Sequence, residues 1–279
     1  MLIKLVNIEL VKIFGKIRSL LGFFALAVLM PLIIWGFSKG ASGIEADVLN
    51  RLGDSFIIVG SVFNGFLVTY ITMNFLWVHV PFLLMLVAGD VVAGEGALGT
   101  FRIVLTRRVS RFKIILSKLI ATYLYTIILI TFFVIMSLGL GTVWLGIGDL
   151  VVFDDGVLIL PQEMVWARFA LAFLLATFVM FVTVTLCFMF SSMVNNGIGP
   201  IIGAMAIIII GLAIANIPID IFEKIRPYFF TSYFDIWQKA FYDPIPWIDI
   251  GKDAIVLSAY TIFFVVISFI HFIRKDISS

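Results

Sequence analysis

Apolar residues in this chain fall in long runs, with the polar residues confined to the gaps between them. Six runs approach the ~20 helical residues needed to cross the ~30 Å apolar core of a bilayer. They lie at about 20–38, 68–88, 116–141, 168–190, 199–217 and 254–273. The second belongs to a longer apolar stretch, Ser55 to Ala88, which as one helix would reach ~50 Å at 1.5 Å per residue. Residues 55–66 are therefore expected to form an interfacial or obliquely inserted segment, strong tilt being the other solution. Ahead of the first run, Leu2, Ile3, Val6, Leu10, Ile13, Phe14 and Ile17 recur at helical spacing, with Lys4, Lys12 and Lys16 on the opposite side. This is the pattern of a basic amphipathic helix lying in a membrane interface. The first run is as long as a true span, so a cleavable signal is not expected.

Composition agrees with the pattern: 62% of the 279 residues are hydrophobic, well above the roughly half found in soluble domains. The expected fold is an all-α integral membrane protein, a single transmembrane domain over 1–279 with six transmembrane helices. Cations then give sidedness. Lys4, Lys12, Lys16 and Arg18 precede span one, Arg102, Arg107, Arg108, Arg111, Lys113 and Lys118 follow span two, and Arg274 and Lys275 follow span six. The loop between spans three and four instead carries Asp149, Asp154, Asp155 and Glu163, with no Lys or Arg before Arg168. The positive-inside rule places both termini and the island after span two in the cytoplasm. The single cysteine, Cys187, lies in an apolar run and reads as a packing residue.

Chemistry-bearing motifs are missing from the sequence. No GxxxxGK[ST] phosphate loop occurs; Gly94 to Gly99 has the spacing but is followed by Thr100 rather than lysine. No HExxH or GxSxG occurs, the two histidines, His79 and His271, sit in different spans, and basic residues are not interleaved with aromatics as a nucleic-acid surface requires. Neither a catalytic site, nor a cofactor or metal on this chain, nor a nucleic-acid partner is expected. Polar residues within the spans concentrate in the second, where Thr69, Thr72, Asn74 and His79 precede a possible kink at Pro81. They read either as helix–helix hydrogen bonding or as the border of a translocation path. Spans one, three, four and five lack charges away from their ends, which disfavours an ion-coupled carrier.

The island itself runs Asp90-Val91-Val92-Ala93-Gly94-Glu95, then Gly99-Thr100-Phe101-Arg102-Ile103-Val104-Leu105-Thr106, then Val109-Ser110-Arg111 and Lys118. In this order of acidic segment, Gly-Thr, arginine and next span, it resembles the type-two permease family of ATP-binding cassette (ABC) transporters. Arg108 stands where many of that family have proline. The six-span plan, cytoplasmic termini and interfacial N-terminal helix extend the resemblance over nearly the whole chain. The resemblance implies the membrane subunit of a transporter, an exporter of unspecified substrate, in the cell membrane of a prokaryote. It implies two copies of a separate cytoplasmic ATPase, which hold ATP and Mg, and a second permease, identical or not. It also implies a cytoplasmic coupling helix between spans two and three. Leu98, Phe101 and Leu105 make an i, i+3, i+7 stripe suited to a groove on such a partner. The candidate coupling residues are Asp90, Glu95, Leu98, Gly99, Thr100, Phe101, Arg102, Leu105 and Arg111, with Ser191 to Gly197 as a second, smaller contact. A non-transporting membrane anchor for a cytoplasmic assembly is the alternative that uses the same basic surface.

Before span six, Phe222, Tyr228, Phe229, Phe230, Tyr233, Phe234, Trp237, Phe241, Tyr242 and Trp247 are interrupted by Pro218, Pro227, Pro244 and Pro246. Such aromatic density suits outer interfacial segments, and the resemblance implies a pair of short helices re-entering the outer leaflet. In the family, spans two and five border the pathway between two permeases. Thr72, Asn74, His79, Gly203 and Gly211 are therefore the candidate pathway or dimer-interface residues, Gly203, Ile207 and Gly211 sharing one helical face.

Overall fold

The computed structural model describes residues 1–52, 63–97, 109–154 and 156–275, with the side chains of 41–52, Phe153, Asp154 and Gly156 left aside. Six helices are long and apolar enough to cross a membrane, spanning Ile17–Gly40, His79–Ala97, Arg111–Leu145, Gln162–Met193, Gly199–Asn216 and Trp247–Arg274. The architecture is that of a multi-pass membrane protein.

Helix α1 (Leu2–Phe14) carries Val6, Glu9 and Ile13 on its buried face and turns at Gly15 into α2 (Ile17–Leu52). The second span, expected at 68–88, lies instead at His79–Ala97, made of α4 (His79–Ala88) and α5 (Asp90–Ala97), and is preceded by a separate shorter helix, α3 (Gly65–Leu76). The first break falls at Trp77–Val78. Pro81 explains it: its ring lacks the N–H that would bond the Trp77 carbonyl four residues back and clashes with that carbonyl. Gly89 marks the second break.

α6 (Arg111–Val134) passes through a π-helical turn, Ile135–Gly139, into α7 (Leu140–Leu145). An antiparallel hairpin follows, β1 (Leu150–Asp154) and β2 (Gly156–Leu160), pairing Leu150 with Leu160 and Val152 with Leu158. The hairpin departs from the all-helical expectation. Its cause is local: β-branched and other apolar residues fill both strands, and the two-residue period of a strand leaves Leu150, Val152 and Leu160 buried while Val157 and Ile159 are exposed. Asn64 pins the hairpin base, accepting from the Phe66 and Leu67 amides as the cap of α3 and donating to the Asp149 carbonyl at 2.7 Å.

α8 (Gln162–Met193) is apolar on all sides and runs through the centre. Around it pack α4, α5, α6, α9 (Gly199–Asn216), α11 (Trp247–Arg274) and a 3₁₀ segment, Phe230–Phe241. That 3₁₀ segment follows α10 (Asp220–Ile225) and corrects the picture of aromatic anchors facing the bilayer. Phe230, Phe234, Trp237 and Phe241 point inward and are buried, and Phe241 meets Phe169 of α8 at 5.0 Å. Tyr228 and Trp247 remain outward and exposed. Arg168 holds the segment's end, donating to the carbonyls of Ala240 (3.3 Å) and Tyr242 (2.8 Å) and to the Asp243 carboxylate (3.0 Å). Contacts between Lys12 and Glu95, and between Arg111 and Lys275, gather both chain ends, α5 and the start of α6 at one end of the bundle.

Candidate functional site

At this basic end α1, α5 and α6 meet in a joint of four charged side chains. Glu9 belongs to α1 by its helical phase, three residues after Val6 and four before Ile13, which places a carboxylate on the apolar face. Lys118 lies on the buried face of α6 with Ile115, Leu119 and Thr122, and its side chain is 1% exposed. Its Nζ donates to Glu9 Oε2 (2.7 Å) and to the Val91 carbonyl (3.1 Å) and pairs with Glu95 Oε1 (2.9 Å). Lys12, the more exposed cation, reaches Glu9 Oε1 and Glu95 Oε1, both at 2.8 Å.

Two carboxylates and two ammonium groups leave the joint neutral. Removing one charge from water costs several kcal/mol, and the short contacts among the four charged groups are what offset that cost here. Burial alone would lower the pKa of Lys12, but its bonds to Glu9 and Glu95 together outweigh that and raise it above the ordinary 10.5.

A second pairing lies one turn away. Asp90, in the first turn of α5, accepts from Lys16 (2.7 Å) and Arg18 (3.3 Å) at the α1–α2 elbow. The N-terminal turn of α5 also favours that negative charge. Gly94 leaves room for it: a Cβ there would lie 2.5 Å from Asp90 Oδ1. The elbow is further tied to α6, since the Tyr125 hydroxyl donates to the Ser19 carbonyl at 2.7 Å. Ser191 at the end of α8 completes the frame, accepting from the Val92 and Ala93 amides and donating to the Gly89 carbonyl. This hydroxyl therefore satisfies groups freed where α4 breaks into α5.

The candidate coupling residues thus divide. Asp90 is engaged within the chain by the α1–α2 elbow, and Glu95 by α1 and α6. Arg111 donates to the carbonyls of Ile273 (2.8 Å) and Lys275 (2.9 Å), closing the end of α11. Leu98, Gly99, Thr100, Phe101, Arg102 and Leu105 lie outside the described residues. Lys118, which reads in the sequence as one cation of an exposed basic surface, is instead the innermost charge of the joint. Glu9 has a signal in the sequence, an acidic residue on the apolar stripe of a basic helix. Ser191 has none.

The candidate pathway residues divide as well. Asn74 and His79 are exposed on one stripe with Phe75 and Val78, and Asn74 accepts from Gln238 at 2.8 Å. Gly203 is half-buried beside Phe190, with Ile202, Ile209 and Ile210 of α9 exposed around it. Thr72 and Gly211 do not face outward. Thr72 is buried with its hydroxyl on the Val68 carbonyl, and a Cβ on Gly211 would collide with Thr231 of the same chain. Among the described residues no group of three or more His, Cys, Asp or Glu is placed to hold a metal ion.

Fold and site together define a multi-pass helical membrane protein with an internally neutralised ionic joint at one end. Residues 26–278 match the family described as protein of unknown function (DUF2705), and the chain belongs to that family. The uncharacterized protein YhcI of Bacillus subtilis (strain 168) is similar, 24% identical over 202 residues that cover 70% of this chain and 64% of the relative.

Proposed function

We propose that this chain is the membrane-spanning permease subunit of an ABC exporter, driven by ATP hydrolysed on separate cytoplasmic subunits. The observation that carries this reading is the ionic joint among α1, α5 and α6, the last two of which flank residues 98–108 in the sequence. α5 ends at Ala97 and α6 begins at Arg111, on either side of those residues in the sequence. Glu95 and Lys118, one near each end of that segment, are bonded to each other and to α1. A partner that pushes on residues 98–108 therefore moves α1, α5 and α6 as one piece, with α5 leading directly into α4. A solvated loop that only satisfied the positive-inside rule would need no such buried joint.

The basic end then faces the cytoplasm with α1 in the interface, and the hairpin and aromatic segment lie on the outer side. A second permease covers the stripe of Asn74, Phe75 and His79 together with the outward face of α9. ATP and Mg are held on the ATPase partners.

Co-expression with an ABC ATPase, sought first among the genes beside this one, tests the reading. A complex should co-purify and, in liposomes, show ATP hydrolysis stimulated by the exported substrate. Replacing Leu98, Phe101 and Leu105 together by serine should leave membrane insertion intact and abolish that stimulation. Absence of any co-purifying ATPase, with no ATPase gene alongside, would end the proposal. A complex that assembles but transports nothing would favour the anchor reading instead.

A further inference from the structure

The cations of the basic end differ in their partners. Lys12, Lys16, Arg18 and Lys118 each have a carboxylate partner in α1 or α5. Arg111, Arg274 and Lys275, gathered where α11 ends against α6, have no carboxylate partner among the described residues. Two of these three spend donors on carbonyls: Arg111 on Ile273 and Lys275, and Lys275 on Ser192 and Val194 at 3.4 and 3.3 Å. Carbonyls orient a cation but leave its charge uncompensated.

Beside them is a groove of about 340 Å³ lined by Ile267, Ile270, His271, Arg274 and Lys275. Its wall changes character along α11. Ile270 is 48% exposed, one turn on Arg274 is exposed, and His271 keeps a buried Nδ1 with no partner among the described residues. Burial lowers the pKa of Lys275, as expected for a cation held against apolar surface.

We propose that this groove binds the phosphate headgroup of an anionic membrane phospholipid, with Arg274 and Lys275 on the phosphate and Ile267 and Ile270 along the adjoining acyl chain. The chemistry matches in both halves. Basic pockets at helix ends attract acidic headgroups, and the apolar helix surface ends where a headgroup layer would begin. A soluble acidic partner would use the cations but leave the isoleucine wall uncovered. The site follows from the membrane-spanning architecture and does not depend on the permease reading.

The full chain, extracted from vesicles of mixed phosphatidylglycerol and phosphatidylcholine and weighed intact by native mass spectrometry, should retain phosphatidylglycerol in preference. Arg274→Gln, whose side chain has no partner among the described residues, should weaken that retention about fivefold, equivalent to about 1 kcal/mol for one charge at the membrane surface. Lys4→Gln, on an exposed lysine of α1, should leave it unchanged. Lys275→Gln should weaken it as well, with a melting curve checking that its bonds to α8 are dispensable for folding. Equal retention of the two lipids, or wild-type retention by Arg274→Gln, would overturn the proposal. So would displacement of the lipid by inorganic phosphate, which would mark a site for free anions.

Discussion

At the scale of single residues, Lys118 is the most consequential side chain of the basic end, because its ammonium has almost no access to water and three oxygens around it. Lys118→Met removes one of two cations from a joint that keeps two carboxylates. Breaking a buried pair from one side costs about 3–5 kcal/mol, and Lys12 remaining in place puts this case near about 3 kcal/mol. Thermal unfolding in detergent should show the loss. Adding Glu9→Gln should recover most of it, because Lys12 and Glu95 then form a balanced pair; no recovery would mean the lysine acts through packing instead. Lys12 supplies a test against pH. Its folded pKa is raised, so its contribution is complete below about 10.5, the unfolded value, and is lost as pH rises through the folded value. The melting temperature should therefore fall more steeply above that pH in the wild type than in Lys12→Met. Lys12 is partly exposed, so the difference is expected to be small.

Between elements, contact distance decides which small residues matter. Gly65, at the start of α3, sits against the backbone of α7: a Cβ there would lie 2.4 Å from the Gly141 carbonyl carbon and the Thr142 nitrogen. A backbone cannot rotate aside as a side chain can, so Gly65→Ala should force α3 and α7 apart at about 1–3 kcal/mol. Gly36 of α2 has no atom within 4 Å of its added Cβ, and Gly36→Ala should leave the melting temperature unchanged or slightly raised. Equal effects of the two changes would refute the close α3–α7 packing. Apolar runs in the sequence mark where helices lie, and glycine marks where close approach is permitted. Neither says which helix is the neighbour, and for Gly65 and Gly211 that neighbour is another element of the same chain.

At the scale of the whole molecule, the proposed second permease narrows to residues that face outward. In the wild-type background, where Cys187 is buried, a cysteine introduced at His79 or Ile202 should cross-link two copies in native membranes. One introduced at Gly211, turned toward Thr231, should not. If outward positions never cross-link, either to a copy of this chain or to another permease, while transport proceeds, the paired arrangement fails.

The sequence alone determined that there are six apolar helices and placed all but the second, which lies at 79–97 rather than 68–88, because a run of about twenty apolar residues has one favourable place to go and backbone hydrogen bonding dictates its form there. It also determined the break near Pro81, a covalent property of the ring. The helical phase of α1, too, is written in its residue spacing. Tertiary structure alone decided what the charges do. By sequence Lys118 is one cation in a basic stretch, and only the approach of α1 and α5 makes it the centre of a neutral joint, since a lysine's pairing depends on carboxylates 109 and 23 positions away. The aromatic segment before α11 shows the same division. Its rings suit the membrane interface by composition, yet their inward direction was set by the groove that α8, α9 and α11 leave for the 3₁₀ turns, which is a property of three helices together and of none by itself.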